Sequence, residues 1–141
     1  MKTILVPVDG SDNSLRAIKM AIDSFKASGS ATMHLVTVQL PIASGNVKSF
    51  FSPEAIRGYY EDEGRAALLP AKALLDQAGV PYTEEILVGQ IGPTIADYAK
   101  KHQCDHIFMG TRGLGSISSV VLGSVTTKVL SLVDIPVTLV K

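Results

Sequence analysis

Short apolar runs alternate with stretches of helical periodicity along the whole chain, and this alternation constrains the fold more than any other feature. Residues 2–8 (KTILVPV), 32–38 (TMHLVTV), 82–88 (YTEEILV), 105–109 (DHIFM) and 136–140 (PVTLV) read as strands. They are short, largely apolar and bounded by turn residues. Pro7 lacks an N–H donor, which places it near the C-terminal end of the first strand. The first helix starts at Ser11 or Asp12 and runs to Ser28. There Leu15, Ile18, Ile22 and Phe25 share a face and Gly29 closes the helix. The second is predicted from Ser52 (cap) and Pro53 to Ala78, ending at Gly79, with Pro70 kinking or splitting it. The third covers 93–101, with Ile95, Tyr98 and Ala99 inward, and the fourth 119–133. Residues 39–52 form a long irregular segment. Glu61, Asp62 and Glu63 read as a solvated face. Thr83, Glu84 and Glu85 make the third strand polar enough for a sheet edge.

Strands alternating with helices imply a parallel sheet covered on both faces, a doubly wound α/β sandwich of three layers with about four helices. Its length of 141 residues fits a single domain, 1–141. The hydrophobic fraction of 46% against 18% charged is the reverse of a disordered chain. Thirteen basic residues balance thirteen acidic ones without a Lys/Arg run, which argues against nucleic acid as a partner. Cys104 is the single cysteine, so no intrachain disulfide and no Cys-rich zinc pattern exists. No stretch approaches the ~18 apolar residues of a membrane span, and the N-terminal apolar run is too short for a signal peptide. A cytoplasmic location is the expectation.

In such folds ligands bind outside the carboxyl ends of the strands. Two loops there are specialised: the Asp9-Gly10-Ser11 turn after the first strand and the segment from Gly110, GTRGLGSISSVVLGSV. Glycines let a ligand approach the backbone, and successive amides form an anion nest. The N-terminus of the following helix adds partial positive charge. Phosphate is the natural occupant; the competing reading is a connector without a ligand. No Gly-Lys-Ser/Thr ends the loop, so it is not a P-loop, and the glycine spacing is not the dinucleotide fingerprint.

Gly110-x2-Gly113-x9-Gly123-Ser124, with ILVPVDGS, DHIFMGTRG and PVTLV, resembles the ATP-binding universal stress proteins over the whole chain. The resemblance implies the strand order 3-2-1-4-5. This order sets the two specialised loops across one crevice. It also implies residue roles. Asp9 matches the adenosine-side carboxylate, and turn formation is its alternative role. Val38 matches the position whose backbone recognises adenine, with Pro7 and Val8 lining the same pocket. Met109 and Gly110 open the phosphate loop, and Arg112 and Gly113 reach ribose and phosphates. Gly123, Ser124 and Val125 hold the outer phosphates, with Ser116, Thr126 and Thr127 as secondary candidates.

The resemblance further implies ATP, or AMP or ADP, as cofactor, with or without Mg2+, and a homodimer formed through residues 136–140. The function that follows is a stress-response regulatory or sensor module. A slow ATP hydrolase or phosphotransferase is the alternative, although no base aimed at the phosphates is evident. A nucleotide-independent dimeric interaction module is the third reading. His34, His102 and His106 lack metal-ligand spacing; His34 and His106 read as structural, and Cys104 as a packed thiol.

Overall fold

The computed structural model describes residues 2–42, 51–111 and 122–141. Along these residues the chain runs β1 (Lys2–Pro7), α1 (Asp12–Ser28), β2 (Ala31–Gln39), α2 (Pro53–Ala78), β3 (Thr83–Val88), α3 (Ile91–Lys101), β4 (His106–Gly110), α4 (Ser124–Leu132) and β5 (Val137–Val140). The strands form one sheet in the order β3-β2-β1-β4-β5, and every pairing is parallel. The expected doubly wound sheet and its strand order are therefore observed. The polar β3 lies at one edge, as its composition predicts, and β5 at the other.

Alternation along the strands sorts the core into two halves. Ile4, Val6 and Val8 of the first strand, Met33 and Leu35 of β2 and Phe108 of β4 pack with Ile18 of α1 and with Leu68 and Leu75 of α2. Leu5, Val36, Ile107 and Met109 point the other way, onto Ile95 and Tyr98 of α3 and Val129 of α4. Strands buried on both faces must be apolar at consecutive positions, which is why β1 reads ILV without polar interruption.

Caps delimit the helices. Ser11 Oγ accepts from Ser14 N at 3.2 Å at the start of α1, and Ser52 Oγ accepts from Ala55 N at 3.1 Å at the start of α2. Gly29 and Gly79 end these two helices in the left-handed conformation. Pro70 does not split α2, which is one helix of 26 residues. Leu68, Ala71 and Leu75 are buried on either side of the proline. Burying the two leucines, at about 1.5–3 kcal/mol each, offsets the ~3 kcal/mol that an interior proline costs. At Gly64 of α2 an added Cβ would stand 2.5 Å from Ile86, so the glycine lets this helix lie close on β3.

The last helix differs from expectation. It starts at Ser124, not at residue 119, because Gly123 is extended (φ −64°, ψ 157°) and donates its N–H to the Thr111 carbonyl at 2.8 Å. Residues 119–121, like the irregular 43–50 segment, lie outside the described residues. The third helix starts at Ile91, two residues before Pro93, since a proline in the first turn has no intrahelical bond to lose.

The two strand histidines are structural, as read from the sequence. His34 Nδ1 lies 2.8 Å from the Tyr98 hydroxyl and 3.2 Å from Thr83 Oγ1. His102 stacks on Tyr98 with ring centroids 4.0 Å apart. His106 Nε2 meets Thr138 Oγ1 at 2.7 Å and ties β4 to β5. Burial, reinforced by the neighbouring His102, lowers the His34 pKa from 6.5. Burial likewise lowers that of His106, with help from Lys2. Tyr98 is pushed up to about 12, chiefly by burial, so its hydroxyl keeps its proton beside His34. Buried Cys104 is raised to about 11, again mainly by burial, which fits an unreactive packed thiol.

Because both histidines bind protons more readily in the unfolded chain, stability falls as pH drops through about 6.5 and flattens below the lowered folded-state values. Urea unfolding at pH 7.5 and 5.5 checks this. The double variant His34→Gln/His106→Gln should lose less stability than the wild type over that interval; an equal loss would assign the pH dependence to other groups.

Candidate functional site

The carboxyl ends of β1, β2 and β4 open into a cleft of about 850 Å³, within the ~300–1,000 Å³ usual for small-molecule sites. It lies at the switch point, where the chain has wound outward from β1 to β3 and then crosses back to β4. The first half of α2 forms one wall, and the N-terminal turns of α3 and α4 form another.

Each element delivers its residues for a local reason. Past β1, Val8 N bonds the Val36 carbonyl at 2.8 Å, so the pairing continues one residue into the turn. Asp9 then turns the chain: its Oδ1 accepts from Ser11 N at 2.9 Å. Gly10 adopts φ +85°, a conformation that favours glycine. An added Cβ there would stand 3.5 Å from the Ala67 backbone of α2. The turn role read for Asp9 is therefore real.

Beyond β4 the path is closed by hydrogen bonds. Thr111 N donates to the Val140 carbonyl at 3.0 Å, and Thr126 Oγ1 donates to the Gly110 carbonyl at 3.0 Å. Together with the Gly123–Thr111 bond, these bring the two ends of the glycine-rich loop together at the cleft. Gly110 packs directly on Asn13 of α1, where an added Cβ would lie 2.7 Å from the Asn13 Cγ. Asn13 Nδ2 in turn donates to the Val140 carbonyl at 2.7 Å. Gly123 caps α4 without a side-chain bond. Helix geometry leaves the amides of Ser124, Val125 and Thr126 without intrahelical acceptors, and the helix dipole is positive there.

The structure brings most of the expected site residues together. Pro7, Val8, Asp9, Val38, Met109, Gly110, Gly123, Ser124 and Val125 all line the cleft, as does Thr126. Arg112, Gly113 and Ser116 lie outside the described residues. Thr127 is exposed and spends its hydroxyl on the Gly123 carbonyl at 3.1 Å.

Sequence reasoning missed the α2 wall, where Tyr59, Glu63, Ala66 and Ala67 face the cleft. It also missed Thr37, which lies on the same strand face as Met33 and Leu35; a polar residue at the end of that apolar series was the available signal. Among the described lining residues the formal charges are Asp9 and Glu63, both acidic. Positive potential there comes from the α4 amides. No group of three or more potential metal-ligating side chains exists among the described residues. A smaller depression of about 560 Å³ lies between α2 and β3. Four of its charged side chains pair, Lys72 with Glu84 at 3.0 Å and Arg65 with Glu61 at 3.8 Å; Arg57 and Glu85 also line it, and none of its described lining residues begins a helix.

A parallel, doubly wound domain with a glycine-lined cleft at its switch point defines a class of α/β modules. Within that class, the chain matches the Universal stress protein family over residues 1–141 and belongs to it. A universal stress protein of Thermus aquaticus is 36% identical over 141 residues, covering 99% of this chain and 98% of its own. The solved hypothetical protein MJ0577 superposes with a TM-score of 0.84 at 27% identity, covering 99% of this chain and 95% of that one. A universal stress protein crystallised in complex with cAMP gives 0.75 at 27% identity, covering 99% and 97%.

Gly110→Ala should destabilise the domain by about 1–3 kcal/mol, because the new methyl must displace Asn13 from its bond to Val140. Urea unfolding measures this; an unchanged midpoint would show that Asn13 yields freely.

Proposed function

We propose that this protein binds an adenine nucleotide in the switch-point cleft, with the phosphates on the N-terminus of α4, and works as a regulatory or sensor module of stress responses. The observation that carries the reading is the geometry at Gly123: an extended glycine with no side-chain cap presents the free amides of Ser124, Val125 and Thr126 toward the cleft. The cAMP bound by a relative of 27% identity supports an adenine ligand. ATP, with AMP and ADP as alternatives, is the ligand the glycine motif favours, with or without Mg2+.

Asp9 faces the nucleoside end, and the backbone of Val38 lies beside the base. Gly110 keeps the loop entrance narrow, and Arg112 and Gly113 belong to the same phosphate loop by sequence. Binding is favoured over turnover because Asp9 Oδ1 is already engaged by Ser11 N and helps hold the turn. The half-buried edge strand β5 offers its free side to a second copy, giving a homodimer, and the cytoplasm is the compartment of action.

Denaturing the purified protein and identifying the released nucleotide tests the ligand. Absence of adenine nucleotide, together with no ATP binding on titration, would retire the reading. Gly113→Ala and Gly123→Val should each weaken ATP binding about tenfold or more while the domain stays folded; unchanged affinity in both would remove the phosphates from this loop. Sedimentation of a monomer at all concentrations would remove the dimer.

A further inference from the structure

Tyr59, Glu63, Ala66 and Ala67 line the cleft, and their spacing puts them on one face of α2. Lys72 meets Glu84 near the start of β3, and Gly64 lies against Ile86 near its end. The helix therefore runs antiparallel to the strand, and the turns before Gly64 overhang the carboxyl edge of the sheet. Glu63 stands at that edge as an exposed residue, open to a ligand in the cleft. None of the ion pairs among the described residues uses it, whereas its neighbour Glu61 pairs with Arg65. Tyr59 stands one turn before Glu63, and the two alanines one turn after it. An aromatic ring on one side and two small side chains on the other leave a slot for a flat ring beside the carboxylate.

The cleft is polar from end to end. Its positive potential lies at the start of α4, and the formal charges of its described lining, Asp9 and Glu63, are negative. Val129 of α4 packs on Leu5 of β1 and Ile107 of β4, whereas Leu68 and Leu75 of α2 pack with Met33 and Leu35 of β2. A nucleotide with its phosphates on the α4 amides thus starts at β4, crosses β1 and reaches β2, two strand spacings or about 10 Å away. Its base arrives at the α2 wall. The reverse orientation would set the phosphates against two carboxylates. Resting on the nucleotide reading above, we infer that Glu63 is a specificity-determining residue whose carboxylate accepts a hydrogen bond from the exocyclic amino group of adenine. A carboxylate accepts and does not donate, and the amino group is the N–H donor that the adenine of a nucleotide carries.

Isothermal titration of wild type, Glu63→Ala and Glu63→Gln with two ligands tests this: ATP, and purine riboside triphosphate, which lacks the amino group. The two ligands carry the same charge, so the ratio of their affinities cancels the general electrostatic effect of removing a carboxylate. The ratio is also unmoved by any loss of stability that weakens both ligands alike. Wild type should bind ATP about tenfold more tightly than the analogue, because a charged acceptor then loses its donor. Glu63→Ala should bind the two within about twofold of each other. Glu63→Gln, which keeps a carbonyl acceptor without the charge, should retain a preference of about threefold. An undiminished preference in Glu63→Ala would overturn the inference, and so would equal affinity of wild type for the two ligands. Complete loss of the preference in Glu63→Gln would overturn the hydrogen bond as its cause. If wild type binds neither ligand, the nucleotide reading itself has failed, an outcome distinct from all of these.

Discussion

The packing of Gly110 against Asn13 sets the shape of the cleft. It allows the end of β4 to lie directly on the first turn of α1. Asn13 then reaches across to the Val140 carbonyl. From that point the chain is drawn closed: Thr111 bonds Val140, Gly123 bonds Thr111, and Thr126 bonds the Gly110 carbonyl. Four hydrogen bonds thus tie the start of α1, the end of β5 and the start of α4 to one strand end. A side chain at position 110 would push these elements apart and move the α4 amides away from the cleft. The glycine is needed for close approach, not for a positive φ.

The site is accordingly built from backbone more than from charged side chains. The described part of its lining carries two carboxylates, Asp9 and Glu63, and no basic side chain. In the proposed function, the described residues offer a phosphate only the oriented amides at a helix start, which act at short range and depend on placement. Under the proposed reading, a chain with equal numbers of acidic and basic residues holds its phosphate without a basic cluster. The anchoring around Gly123 then matters, because amides cannot reach for a ligand as a lysine can.

Much of this was legible because a parallel sheet imposes its pattern on the sequence. Strands covered on both faces must be apolar at consecutive positions, so β1 declares itself, and the turn residues at Asp9-Gly10 and the glycines from Gly110 mark the loops at strand ends. The cap Ser52 and the terminators Gly29 and Gly79 are local chemistry and were read at their positions, and the structure selects Ser11 over Asp12 as the cap of α1. That Pro70 does not split α2 was not legible, because its cost is local while the compensating burial of Leu68 and Leu75 comes from distant strands. The start of α4 was misplaced because no local pattern records that Gly123 is held extended by its bond to Thr111, twelve residues earlier.

The sequence by itself determined the alternation of strands and helices, the apolar faces, most helix ends and the glycines at the mouth of the cleft, since each follows from periodicity or from the conformational limits of single residues. Only the tertiary structure decided that α2 would wall the cleft with Ala66, Ala67 and Glu63, and that Thr37 would be buried without a partner among the described residues. Those outcomes depend on which surfaces meet when the crossovers wind in opposite directions from β1. A side chain's neighbours across the sheet come from segments tens of residues away, and no local pattern records them.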